Sequence, residues 1–211
     1  MTALVFALQP EQVCLAMDTL VVGADDRLPL SFQQKFHSLP DSELVVAGTG
    51  LANFINGWFA YLSALACVGD IDDLNNISPG VLQASADAAG GLGAITTTIY
   101  HFGYSRSDCQ YVGYAYRSTN EFQSERLPYG LGFKPHVPVT PTEDINFPEF
   151  LVDIVVKQQS ADRSLPVQQQ LGIGGEIEFA VLSGRTTRIE TVHRFLSYDR
   201  EKQHIDSRGE A

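Results

Sequence analysis

The apolar and polar positions of the first third of the chain predict three strands followed by a helix. Residues 3–9 and 12–22 are predicted to form two strands joined at Gln9-Pro10-Glu11, because apolar side chains alternate there with small or polar ones. A third strand is predicted over Glu43–Gly48. The next segment, LANFINGWFAYLSALAC, has apolar residues at helical spacing and predicts the first helix over 51–67.

The rest of the chain predicts two further helices and five further strands. The second helix is predicted to start at Ser78-Pro79, a capping residue followed by a proline suited to the first turn. The acidic run Asp70–Asp73 before it is then a solvated loop between two helices. The remaining elements are predicted as strands over about 95–104, 109–117 and 121–127, a loop over 128–146, a helix from Phe147-Pro148, and strands over about 175–183 and 186–197.

This order of elements restricts the fold class. Helices occur in groups rather than between every pair of strands, which argues against a doubly wound parallel sheet. Two antiparallel sheets stacked face to face, with helices on both outer faces, would bury every apolar stripe. We therefore predict an α+β fold, a four-layer αββα sandwich, as one domain over residues 1–197. Residues 198–211 are polar and are predicted to be a disordered tail.

Composition excludes several classes of function. The chain has 211 residues, of which 44% are hydrophobic, so it can bury a core without disulfides or a structural metal. A net charge of −11 with scattered Lys and Arg argues against nucleic-acid binding. No apolar stretch approaches the roughly 20 residues of a membrane span. The histidines share no ligand spacing, and we expect neither a metal ion nor another cofactor.

The cysteines and the first residues favour a cytoplasmic protein. Cys14, Cys67 and Cys109 are odd in number and lack the spacing of metal ligands, so we expect buried free thiols in a reducing compartment. Positions 1–20 lack the basic segment of a secretory signal, and acidic residues interrupt their apolar run. Both observations predict a cytoplasmic location.

Thr2 is a candidate nucleophile. Removal of Met1 is expected, because an initiator methionine is usually cleaved before a residue as small as threonine. Thr2 would then carry a free α-amine with a pKa of about 7.7–8.0, which suits a general base near neutral pH. A single residue would supply both the nucleophile and its base.

Asp18 and Lys35 are the candidate partners of Thr2. Asp18 lies in the apolar stretch LAMDTL, where a carboxylate needs a counterion, and Lys35 is the predicted counterion. A lysine beside the terminal amine would lower the pKa of that amine, because like charges repel. Gly48, Thr49 and Gly50 lie at a strand-to-helix junction, where backbone N–H groups and a helix N-terminus favour an oxyanion.

Each of these residues also has an ordinary structural interpretation. Asp18 could end a strand, Lys35 could be a surface lysine, and the glycines could form only a turn. Spacing and element order together favour the functional interpretation.

The arrangement of Thr2, AMDT, QQKFHSLPDSELVVAGTG and a helix resembles the proteasome β-type subunits and their bacterial relatives, which are N-terminal nucleophile hydrolases. The resemblance implies that Thr2, Asp18 and Lys35 are catalytic and that Gly48 or Gly50 supplies the oxyanion N–H. The later segment GIGGEIEFAVLSG resembles the Gly-Gly start of a strand after the family's last helices. Three departures stand out: PYGLGFKP has no serine, QQQLGIGG lacks the aspartate and serine before the glycine pair, and Asn53 replaces an aspartate.

The resemblance implies a threonine hydrolase that cleaves peptide or amide bonds of a peptide or protein substrate and forms a ring-like homo-oligomer. The departures leave an alternative open, a catalytically inactive homologue that acts as a self-assembling scaffold or binding subunit. Retention of Met1 would favour that alternative, because the α-amine would be held in an amide bond. The number of subunits and an ATPase partner stay open.

Overall fold

The structure, a computed structural model, describes residues 2–23, 26–39, 43–65, 69–93, 95–139 and 146–209. Met1 and Cys67 lie outside these ranges. In chain order the elements are β1 (Leu4–Leu8), β2 (Gln12–Asp18), β3 (Leu20–Val22), β4 (Pro29–Phe32), β5 (Phe36–Leu39), β6 (Leu44–Thr49), α1 (Ala52–Ala64), α2 (Ile71–Ala88), β7 (Thr98–Ser105), β8 (Gln110–Arg117), β9 (Ser124–Arg126), β10 (Gly130–Lys134), α3 (Glu149–Arg163), β11 (Glu176–Ser183), β12 (Thr186–Arg194) and α4 (Tyr198–Gly209).

Two five-stranded antiparallel sheets lie at the centre of the fold. The first sheet has the order β10-β1-β2-β11-β12, and the second has the order β5-β6-β7-β8-β9. Strands β3 and β4 form a separate antiparallel pair.

Three groups of buried apolar side chains define four layers. One group lies between the two sheets and includes Phe6 and Phe102. A second lies between the second sheet and α1 and α2, and includes Trp58. The third lies between the first sheet and α3, and includes Val5 and Ile154. Because successive residues of β1 face different groups, the whole strand is buried. The predicted αββα sandwich is confirmed.

Three short strands, β4, β5 and β10, were not predicted, and the strand predicted over 12–22 is divided into β2 and β3. The strand predicted over Glu43–Gly48 is β6, and β3, β4 and β5 precede it. Strand β10 lies inside the segment predicted as a loop. The three strands that were not predicted have only four or five residues with mixed burial, too few to establish an alternation.

The predicted start of the second helix is wrong. Helix α2 begins at Ile71, and the side chain of Asp70 accepts the backbone N–H groups of Asp72 and Asp73 at 3.0 and 3.1 Å. The acidic run is therefore a helix cap and first turn rather than a loop. Pro79 lies inside the helix rather than at its start, and Leu74 in the preceding turn is fully buried.

The tail also differs from its prediction, because α4 occupies most of it. The ring of Tyr198 stacks on Phe32 with 4.7 Å between centroids. Glu201 is only 6% exposed and accepts the backbone N–H of Gly175 at 2.9 Å. The helix is held by a few specific contacts rather than by a broad apolar face, so polarity alone predicted disorder.

Among the described residues, no helix has the length and apolar character that a bilayer crossing requires.

Cys14 and Cys109 are free thiols, the first buried and the second exposed, so the expectation of burial is wrong for Cys109. Burial raises the pKa of the Cys14 thiol to about 11.

Candidate functional site

The β1–β2 hairpin brings Thr2 next to Asp18. Leu4 pairs with Met17, so the residues before Leu4 lie beside the end of β2. The Thr2 hydroxyl donates to Oδ1 of Asp18 at 2.6 Å, and the backbone N–H of Ala3 donates to the same oxygen at 2.8 Å. Thr2 is 6% exposed and Asp18 is fully buried.

Lys35 approaches Asp18 from the short segment between β4 and β5. Its amine donates to Oδ2 of Asp18 at 2.9 Å and to the backbone carbonyl of Leu20 at 2.6 Å. The side chain is 11% exposed. Burial lowers the pKa of Lys35 below its usual value and outweighs the opposing effect of the Asp18 charge. The structure therefore brings the three predicted catalytic residues together.

Asp18 has a fourth hydrogen-bond donor that the sequence analysis missed. The backbone N–H of Gly174 donates to Oδ2 at 3.2 Å, across 156 residues of sequence. The GIGG segment was noticeable as a glycine pair, but nothing local indicated its contact with β2. Four donors therefore satisfy the hydrogen-bonding capacity of this buried carboxylate.

The three predicted oxyanion residues differ in their placement. Gly48 and Gly50 line a cleft with Thr2 and Lys35. The side chain of Thr49 does not line it: Thr49 is 2% exposed, and its hydroxyl has no hydrogen-bond partner among the described residues. Alternation along β6 explains the difference, because neighbouring residues face opposite sides of the sheet.

Gly50 occupies a position that only glycine tolerates. Its φ is +119°, and an added Cβ would lie 2.6 Å from the carbonyl oxygen of Thr96. At this point the end of β6 lies close to the backbone just before β7, and the chain then turns into α1.

The N-terminus of α1 adds a favourable electrostatic environment. Helix α1 begins at Ala52 with Leu51 in the capping position, and the described part of the chain shows no side-chain cap there. Its first turn carries no acidic residue, and Ala52 lines the cleft. The positive end of the helix dipole is therefore available to an anion in the cleft.

The cleft is small, about 90 Å³, and has an apolar and a polar side. Val21 and Phe59 contribute apolar surface. Gln33 and Asn56 also line the cleft and are joined by a hydrogen bond of 3.1 Å. The sequence analysis missed these four residues, because no motif marks a pocket wall assembled from β3, α1 and a loop.

The solved structures that share the fold of this chain include two described as Anbu. No protein-family model matches the chain, and no curated protein does. An Anbu (Gly-1) mutant from Hyphomicrobium sp. strain MC1 superposes with a TM-score of 0.66 at 12% identity, over 99% of this chain and 93% of that chain. Anbu from Yersinia bercovieri, described as an ancestral β-subunit, gives 0.63 at 11% identity, over 100% and 94%.

At these identities the likeness establishes the fold. The chain has the αββα architecture of these β-subunit-like proteins over nearly its full length. The resemblance seen in the short motifs of the sequence is thereby confirmed for the fold.

Proposed function

We propose that this protein is an N-terminal threonine hydrolase that cleaves peptide or amide bonds, with Thr2 as nucleophile after removal of Met1. The observation that carries the proposal is the shared carboxylate of Asp18, which accepts the Thr2 hydroxyl at 2.6 Å and the Lys35 amine at 2.9 Å. Nucleophile, lysine and buried acid lie side by side at the edge of a cleft that reaches a helix N-terminus.

In the first step the Thr2 hydroxyl oxygen attacks the substrate carbonyl. Its proton passes to the Thr2 α-amine, which is a base of suitable strength near neutral pH. Before the attack the hydrogen bond to Asp18 holds the hydroxyl oxygen in place, and the O–H then rotates from Asp18 toward the α-amine, which takes the proton. Lys35 keeps the α-amine neutral, because a nearby positive charge disfavours a second one.

In the second step the tetrahedral intermediate collapses. Its oxyanion lies near the Gly48–Gly50 backbone and the uncapped start of α1, where N–H groups stabilise negative charge. The C–N bond breaks, and the leaving amine takes the proton from the Thr2 ammonium. Water then hydrolyses the Thr2 ester and restores the hydroxyl.

A second candidate is an inactive homologue that serves as a scaffold or binding subunit. It is favoured by the absence of serine from PYGLGFKP, around β10, and of aspartate and serine directly before the Gly174–Gly175 pair.

Whether the protein is a hydrolase or a scaffold, we propose that it forms a homo-oligomer. A groove of about 410 Å³ between α1 and α2, lined by Phe54, Trp58 and Tyr61 among others, offers apolar surface to a neighbouring subunit.

We place the protein in the cytoplasm, where free thiols such as Cys109 persist.

Two measurements on the untagged protein test the hydrolase. Intact mass spectrometry should find the chain lighter by one methionine residue. A peptide β-lactone should then acylate Thr2, with the added mass located on that residue by peptide mapping. A chain that retains Met1 and resists acylation would favour the scaffold.

A further inference from the structure

Six consecutive backbone N–H groups, in the segment 171–176, all donate to side-chain acceptors. Such a run is unusual, because backbone N–H groups are mostly satisfied by other backbone groups. The donors and acceptors are Leu171, Gly172 and Ile173 to Asp162 at 2.6, 3.0 and 3.3 Å, Gly174 to Asp18 at 3.2 Å, Gly175 to Glu201 at 2.9 Å, and Glu176 to Thr19 Oγ1 at 2.8 Å. Three carboxylates and a hydroxyl thus fix the path of the segment.

The carbonyl side of the segment is fixed as well. The carbonyl oxygens of Gly174 and Gly175 accept backbone N–H groups from Leu20 and Phe195, both at 3.1 Å. The position of the Gly174 N–H relative to Asp18 is therefore set by contacts on both sides of the backbone.

The glycine pair is also confined sterically. A Cβ on Gly174 would lie 2.7 Å from Oε1 of Glu201, and a Cβ on Gly175 would lie 2.4 Å from Oγ1 of Thr19. Gly175 has a φ of +76°, which favours glycine. The backbone passes through a gap with Glu201 on one side and the end of β2 on the other.

The contacts of Glu201 fix the position of its carboxylate beside the glycine pair. It lies on the first turns of α4 and is 6% exposed. Arg163 lies 3.5 Å from its Oε1 and also donates to the Ser197 hydroxyl, so the carboxylate has a counterion as well as the Gly175 N–H. A buried carboxylate with these partners keeps one orientation.

We propose that Glu201 is a positioning residue of the candidate site. It fixes Gly175, and through Gly175 it holds the Gly174 N–H against Oδ2 of Asp18, the oxygen that also binds Lys35. That N–H draws negative charge from Oδ2 and so limits how strongly Asp18 favours the protonated lysine. The consequence for catalysis rests on the proposed hydrolase, whereas the effect on Gly174 and Lys35 does not.

Three substitutions distinguish this role from a general need for negative charge. Glu201→Gln keeps the length and an acceptor oxygen, and Glu201→Asp keeps the charge but withdraws it by one methylene. Glu201→Ala removes both the charge and the acceptor oxygens. Asp206→Ala is the matched control, because Asp206 is an exposed acid on the same helix.

The readouts are amide exchange of Gly174 and Gly175 and the titration of Lys35, both by NMR on the full chain. Loss of a hydrogen bond to a charged acceptor should speed amide exchange by about 10- to 100-fold in Glu201→Asp and Glu201→Ala. The Lys35 pKa should rise in both, because Asp18 loses a competing donor. Glu201→Gln keeps a neutral acceptor within reach and should speed exchange less than Glu201→Asp does, and Asp206→Ala should match the wild type. With four lysines in the chain, Lys35 is readily assigned.

The proposal predicts faster exchange and a higher Lys35 pKa in Glu201→Asp, and the reverse result would overturn it. If Glu201→Asp matched the wild type and Glu201→Gln did not, charge rather than reach would be the requirement. Unchanged exchange and titration in Glu201→Asp would overturn it too, even if Glu201→Ala failed to fold. If the wild type is a hydrolase, Glu201→Asp should lower kcat about tenfold with little effect on KM. A wild type without turnover would contradict the hydrolase and leave the exchange and titration results valid.

Discussion

The Thr2 hydroxyl and the Lys35 amine bind opposite oxygens of one carboxylate, at 2.6 and 2.9 Å. That carboxylate, Asp18, is fully buried, and the lysine is 11% exposed. A buried charge pair is tolerated when each partner is well hydrogen-bonded, and removing one partner leaves the other uncompensated.

Asp18→Ala should therefore be strongly destabilising. Lys35 would remain buried without its counterion, which costs about 3–5 kcal/mol. Urea denaturation at neutral pH measures the free energy of unfolding. Asp153→Ala is the control, because its exposed pair with Lys157 is worth less than about 1 kcal/mol. Equal losses in the two variants would contradict the buried ion pair.

Thr2→Ala should abolish hydrolysis and leave the fold intact. Without the nucleophile, kcat/KM should fall by at least about 1,000-fold. The stability loss should be near 1 kcal/mol, because Asp18 keeps its bonds to Ala3, Lys35 and Gly174. Cleavage of a peptide library, with circular dichroism of the same samples, measures both.

Thr2→Ser is the matched control for that experiment. Alanine and serine are as small as threonine, so removal of Met1 should be unaffected. Serine keeps the hydroxyl and should retain measurable activity. Turnover by Thr2→Ala would exclude Thr2 as the nucleophile.

The part of the site formed by Thr2, Asp18 and Lys35 could be predicted because it follows from local rules. Alternation over two strands joined by a tight turn fixes a hairpin, and the hairpin register places Thr2 beside Asp18. Lys35, the third residue, could be predicted because a carboxylate in an apolar stretch requires a cation. The first helix was predicted for a similar reason, because its apolar stripe repeats over several turns.

The parts that were missed depend on contacts between distant segments. The bond from Gly174 to Asp18 spans 156 residues. Helix α4 has no strong apolar stripe, and its buried Glu201 contacts Gly175 and Arg163 from distant parts of the sequence. Thr49 was grouped with its neighbours by position, although strand alternation turns its side chain away from the cleft.

Gly50→Ala and Gly57→Ala should have opposite effects on stability. At Gly50 an alanine would adopt an unfavourable φ of +119° and approach the Thr96 carbonyl, so we expect a loss of at least about 2 kcal/mol. Gly57 lies inside α1 with open space around its Cβ position, where alanine should stabilise by roughly 0.5–1 kcal/mol. Urea midpoints compare the two. Stabilisation of both variants would contradict the tight turn at Gly50.

A buried histidine should make the protein sensitive to acid. His101 is fully buried on β7, and its Nε2 accepts the indole N–H of Trp58 at 3.0 Å. Burial lowers the pKa of His101 from 6.5 to about 3. Between these values the unfolded state binds one more proton than the folded state, so stability falls as pH falls.

Replacement of this side chain tests the effect. The wild type should lose about 1.4 kcal/mol of unfolding free energy per pH unit from this group as pH falls below about 6. His101→Phe should lack that component of the slope, although it should be less stable at neutral pH because Trp58 loses its acceptor. His136→Gln, at an exposed histidine, is the control and should keep the wild-type slope. Identical slopes for His101→Phe and the wild type between about pH 6 and pH 4 would show that His101 does not remain neutral in the folded protein.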